Sequence, residues 1–178
     1  MDDKITPNLL FVYGTLRSGA HNHPYLKGAK FVGLAQTNGM LLFDYYSELP
    51  IVVTNTLNYP RGRYSGVPPT KVRVTTDVTG EVYEVPEDRW ADLDRLEGHP
   101  VFYCRTLRSV NLFGKRGQKL KKAVKAWIYV IPAEKAAGKS YIWPNKEDYF
   151  EALQVVRVQP TECRDDYRTR RSSMIKTL

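Results

Sequence analysis

The apolar residues between Leu9 and Ile131 come mostly in short runs or at every second position, and glycine or proline breaks them at close intervals. That is the signature of many short strands, because side chains on a strand alternate between its two faces. Leu9–Tyr13 is an unbroken apolar run, the length of a buried strand, and it ends at Gly14. Lys30–Gln36 and Met40–Tyr45 read as two strands joined through Asn38–Gly39, a pair that supplies the positive φ angles of a tight hairpin. Ile51–Val53, Val72–Val74, Gly80–Val85, Tyr103–Leu112 and Ala123–Ile131 continue the series. Two segments read as helices. Glu87–Glu97 follows Pro86, has acids in its first turn, and is closed by Gly98 at the position that favours a left-handed residue. Lys146–Leu153 carries Tyr149, Phe150 and Leu153. The expected fold class is α+β, a curled sheet or small mixed β-barrel with short flanking helices.

A chain of 178 residues, 42% of them hydrophobic, has the size of one domain. It is assigned here to residues 1–160, with 161–178 a polar, basic tail expected to be loose. No apolar run approaches the roughly 20 residues that span a bilayer. MDDKITPN at the start is too acidic and polar for a signal peptide, and two cysteines are too few for a disulfide framework, so a cytoplasmic location is expected. The formal net charge is +8, and Arg105–Lys125 holds eight bases and no acid. Strands flanking Gly114–Gly117 would turn these charges toward water and discourage edge pairing. The alternative is a binding module that takes nucleic acid through this basic 105–125 hairpin, although no nucleic-acid signature accompanies the charge.

Glu97 runs against a local rule. The carbonyl dipoles at a helix C-terminus disfavour an anion there by about 0.3–1 kcal/mol. Glu97 nevertheless ends its helix, four residues after Leu93 and seven after Trp90, beside the apolar stripe. Burial and the dipole would both raise its pKa, and a carboxyl group tuned toward neutrality suits general acid-base catalysis. The competing reading is a structural glutamate paired with Arg105 or Arg95. The turn Tyr13–Gly19 invites a second comparison. Gly14 and Gly19 have the spacing of a phosphate loop, but Ala20 and His21 stand where its lysine and hydroxyl residue belong. What remains is either an ordinary turn or a nest of backbone N–H groups for a carboxylate or oxyanion. His21 and His23 lack nearby carboxylate or cysteine ligands at supporting spacing, so no metal is expected. Cys104 has no assignable histidine partner, Asp94 reads as a solvated charge, and Glu81 reads as a hydrogen-bonding group within the barrel.

Taken together and in order, FVYGTLRSG at Phe11–Gly19, ELPIVV at Glu48–Val53, GEVYEV at Gly80–Val85 and LDRLEGHPVFYCR at Leu93–Arg105 resemble the γ-glutamylcyclotransferase-like family. That family includes γ-glutamylamine cyclotransferases and the AIG2-like proteins, and the resemblance spans roughly residues 8–131. It implies a small mixed β-barrel and metal-independent, cofactor-free cyclisation of a γ-glutamyl amide to 5-oxoproline with release of the amine. It also implies that Tyr13, Gly14, Thr15 and Leu16 hold the γ-glutamyl group and that Glu97 moves the proton. Tyr103 would orient that glutamate, and Arg105 would support the barrel. The expected partner is a small γ-glutamyl molecule, neither a membrane nor a nucleic acid.

Overall fold

The structure is a computed structural model that describes residues 8–44, 50–53, 77–114, 119–132, 141–142 and 148–151. Strands β1 (Leu9–Val12), β2 (Lys30–Asn38), β5 (Asp77–Glu84), β6 (Cys104–Phe113) and β7 (Lys119–Val130) form a closed barrel in the order β1-β5-β2-β6-β7. The ring closes where β1 runs parallel to β7, with Leu10 opposite Trp127. A smaller sheet holds β3 (Met40–Asp44) between β4 (Pro50–Val53) and β8 (Tyr141–Ile142). Between β5 and β6, a 3₁₀ turn at Glu87–Arg89 leads into helix α1 (Trp90–Glu97). This is the expected α+β barrel with few, short helices.

The continuous apolar character of β1 has a packing reason, because the strand is buried on both faces. Leu9, Phe11 and Tyr13 pack with Val82, Val110 and Ile128 of the barrel and with Leu41, Phe43 and Val52 of the smaller sheet. Leu10 and Val12 face the other way, onto Trp90 and Leu93 of α1. Gly80 is required where β5 packs beside β1, since a Cβ there would collide with the carbonyl oxygen of Val12 and lie 2.6 Å from the Phe11 ring.

The Asn38–Gly39 hairpin is corrected. β2 pairs with β5 along its length and with β6 at Ala35 and Gln36, whereas β3 pairs with β4 and β8. With both edges of β2 engaged by barrel strands, Asn38–Gly39 is the corner at which the chain leaves the barrel. The burial of Leu41 and Phe43 then draws β3 into the smaller sheet. The hairpin of β6 and β7 forms as expected, from Cys104 opposite Val130 to Phe113 opposite Lys119. Arg105 departs from the expectation of solvated charge. Its guanidinium lies 4.6 Å from the Trp90 ring centroid and 5.4 Å from that of Trp127, and 3.4 Å from Asp94. The Val72–Val74 strand, the loop of residues 58–69, the turn of residues 115–117, most of the Lys146–Leu153 helix and the 161–178 tail lie outside the described residues.

Candidate active site

Glu97 reaches its position because α1 is short and stops abruptly. Trp90 and Leu93 fix the helix on the barrel, and Gly98 adopts the left-handed conformation (φ 62°) that ends it. The N–H groups of Gly98 and His99 then donate to the carbonyls of Arg95 and Asp94, closing the last turn. Glu97 projects from this end into a cavity of about 160 Å³ between α1, the end of β1 and Pro50. The structure brings together all six residues singled out in the sequence, since Tyr13, Gly14, Thr15, Leu16, Glu97 and Tyr103 all line this cavity. Asn22, Phe102 and Tyr129 complete much of the wall.

Burial pushes the Glu97 carboxyl up to about pKa 7. The two cations offered as structural partners are engaged elsewhere, Arg95 with Asp92 at 3.2 Å and Arg105 with Asp94 at 3.4 Å. Two phenols in the wall are anchored to the backbone. Tyr13 donates to the carbonyl of Tyr129 at 2.8 Å, and Tyr103 donates to that of Pro50 at 2.6 Å. Tyr13 is held well above the usual phenol range by burial first, then by Tyr103 and Glu97, so it stays a neutral donor. Tyr129 donates to Asp94 Oδ1 at 2.7 Å, and burial followed by that bond raises its pKa as well. Asp94 is thus corrected from a solvated charge to the joint of a Tyr129–Asp94–Arg105 chain.

The glycine turn presents the opposite polarity. Among the described residues, the backbone N–H groups of Gly14, Thr15 and Leu16 donate to no protein acceptor, while Arg17 and Ala20 close the turn through Gly14 O and Arg17 O. A Cβ at residue 14 would lie 2.7 Å from the Pro50 ring, so only glycine lets the turn pack this closely against Pro50. Asn22 Nδ2 donates to the Thr15 hydroxyl at 3.0 Å, and His23 Nδ1 lies 3.0 Å from the Leu16 carbonyl, which ties that imidazole to the turn. Among the described residues no group of three or more His, Cys, Asp or Glu is placed to hold a metal ion. Arg17 and Glu81 were not assigned to the site by sequence reasoning. They form a buried ion pair at 3.3 Å directly behind the turn. A carboxylate amid the apolar alternation of β5 was the available signal, since a buried charge must be paired.

A family model described as γ-glutamyl cyclotransferase, AIG2-like, matches residues 10–151. The chain belongs to this family. Among curated relatives of this AIG2-like cyclotransferase chain, a putative γ-glutamylcyclotransferase from Methanocaldococcus jannaschii is 36% identical, covering 69% of this chain and 83% of the relative. A γ-glutamylaminecyclotransferase from Homo sapiens is 33% identical, covering 88% of this chain and 99% of the relative. The crystal structure of an AIG2-like protein from Mus musculus superposes with a TM-score of 0.50 at 27% identity, covering 69% of this chain and 76% of the other. These likenesses make the chain a γ-glutamylcyclotransferase-type protein and place the barrel in the AIG2-like fold. Among the described residues no helix is long and apolar enough to cross a membrane.

Proposed function

We propose that the protein is a cytoplasmic enzyme that cyclises a γ-glutamyl amide to 5-oxoproline and frees the amine, with Glu97 as the general acid-base group. The observation that carries this reading is a buried carboxyl raised to about pKa 7 that lines the same cavity as a turn whose backbone N–H groups meet no acceptor among the described residues. A γ-glutamyl amide carries its own nucleophile, so what the protein must supply is conformation, charge stabilisation and proton transfer.

The Gly14–Leu16 N–H groups receive an anion, either the glutamyl α-carboxylate or the oxyanion that forms at the γ-carbon. Holding the molecule folded back on itself supplies much of the rate, because it converts a rare conformer into the bound one. Glu97 takes a proton from the α-ammonium, and the freed nitrogen attacks the γ-carbonyl carbon to close the five-membered ring. Protonated Glu97 then gives its proton to the departing nitrogen as the γ-carbon–nitrogen bond breaks. The second proton lost by the ring nitrogen completes the ammonium of the released amine. Tyr103, fixed through Pro50, and Tyr13, fixed through Tyr129, hold the walls around this exchange.

The test is incubation with a panel of γ-glutamyl amides and detection of 5-oxoproline, for the wild type and for Glu97→Gln. The variant should fold and lose about 10²–10⁴-fold in kcat, the usual contribution of general acid-base catalysis. Wild-type turnover in Glu97→Gln would remove Glu97 from the mechanism.

A further inference from the structure

Three elements far apart in sequence meet behind the glycine turn. Arg17 is 7% exposed; its Nε lies 3.3 Å from Glu81 Oε1 and its Nη1 2.6 Å from Asp148 Oδ2, and its guanidinium sits 5.0 Å from the Phe150 ring centroid. The second Glu81 oxygen accepts from the Ser18 N–H and the Tyr83 hydroxyl, each at 2.9 Å. Asp148 also divides its two oxygens. Oδ2 holds Arg17, while Oδ1 accepts from the N–H groups of Phe150 at 2.9 Å and Glu151 at 3.4 Å, capping the helical turn that follows.

The next residue carries the connection to the Pro50 segment that packs against the turn. Tyr149 is buried and stacks on Phe43 of β3, with ring centroids 6.0 Å apart and planes 14° from parallel. Phe43 is the register partner of Pro50, whose ring abuts Gly14 and whose carbonyl anchors Tyr103. Residues 148–150 therefore hold two neighbouring parts of the cavity lining from outside it, the glycine turn through Arg17 and Pro50 through Phe43. Burying an arginine with two carboxylates is a costly way to gain stability, but it fixes geometry, because guanidinium bonds are directional and a displaced partner leaves a buried charge unpaired.

We propose that residues 148–150 are a strap that seats the glycine turn against Pro50, with Arg17 and Asp148 as positioning residues for binding of the γ-glutamyl group. This rests on the reading of Gly14–Leu16 as the holder of that group. Asp148→Ser separates the strap from the cap: serine still caps the helical turn but is too short to reach Arg17.

With the γ-glutamyl amide of highest turnover in the panel, Asp148→Ser should raise KM about five- to twenty-fold, the range of a coupling between contacting charged groups. It should leave kcat within about twofold and leave the acid limb of the pH profile in place, because Glu97 is mounted on α1. In a double-mutant cycle, Arg17→Met combined with Asp148→Ser should raise KM no more than the worse single change. An unchanged KM in Asp148→Ser, or a fall in kcat accompanied by a shifted acid limb, overturns the strap. If Arg17→Met does not fold, Asp148→Ser decides alone. Failure of the functional reading looks different, since the wild type would then release no 5-oxoproline from any member of the panel, and the strap would fall with it.

Discussion

A carboxyl raised to about pKa 7 by burial binds its proton more tightly in the folded chain than in the unfolded one, where the ordinary value is 4.5. Between those two values the folded state holds more protons, so this group makes stability fall as pH rises through the window, and the full penalty stands above about pH 7. Glu97→Gln removes the penalty. The thermal midpoint of the variant should exceed that of the wild type at pH 8 and converge with it near pH 4; equal midpoints at both pH values would mean that the carboxyl is not buried as described. Under the proposed mechanism kcat/KM should show an acid limb near pH 7, because a base that takes the α-ammonium proton must be ionised. Glu97 was legible in the sequence because its place at a helix end beside an apolar stripe contradicts the dipole rule. Asp94 was not, because its partners Tyr129 and Arg105 come from β7 and β6 and only the closed barrel delivers them.

At the level of the elements, strand identity was readable and strand partnership was not. Alternation and apolar runs located β1, β5, β6 and β7 to within a few residues, since side-chain period is a local property. Asn38–Gly39 misled because the conformational freedom that suits a hairpin also suits a corner. The choice between them was made by β5 and β6, which occupy the edges of β2. The close pairing of β5 with β1 yields a prediction at this scale. Gly80→Ala places a methyl group against the Val12 carbonyl and the Phe11 ring and should cost at least about 1–3 kcal/mol, as overpacking does. Differential scanning calorimetry should show a midpoint lower by several degrees. A wild-type midpoint would show that β1 and β5 give way easily at this contact.

For the molecule as a whole, the concentrated positive charge made nucleic acid the leading rival to catalysis. One of the eight bases in residues 105–125 is already committed, because Arg105 is held between two tryptophan rings and paired with Asp94. Cyclisation of a small γ-glutamyl amide should change by less than about twofold between 50 and 300 mM salt, whereas binding through many phosphate contacts would weaken by orders of magnitude over a similar range. Fluorescence anisotropy with a labelled oligonucleotide, run beside the activity assay, separates the two; salt-sensitive binding without 5-oxoproline release would favour the binding module.

The ring of strands is sealed by its first and last members in chain order, and the bond from Tyr13 to the Tyr129 carbonyl joins positions 116 apart. Contacts of such long range are won late, after most of the loop-closure entropy has been surrendered. Both tyrosines also line the cavity. A lengthening chain therefore gathers the glycine turn, Pro50 and Glu97 before it has the strand that closes the barrel beside them. Until β7 joins β1, Tyr13 lacks its backbone anchor and the wall lacks Tyr129, so the cavity is completed in the same event that closes the barrel.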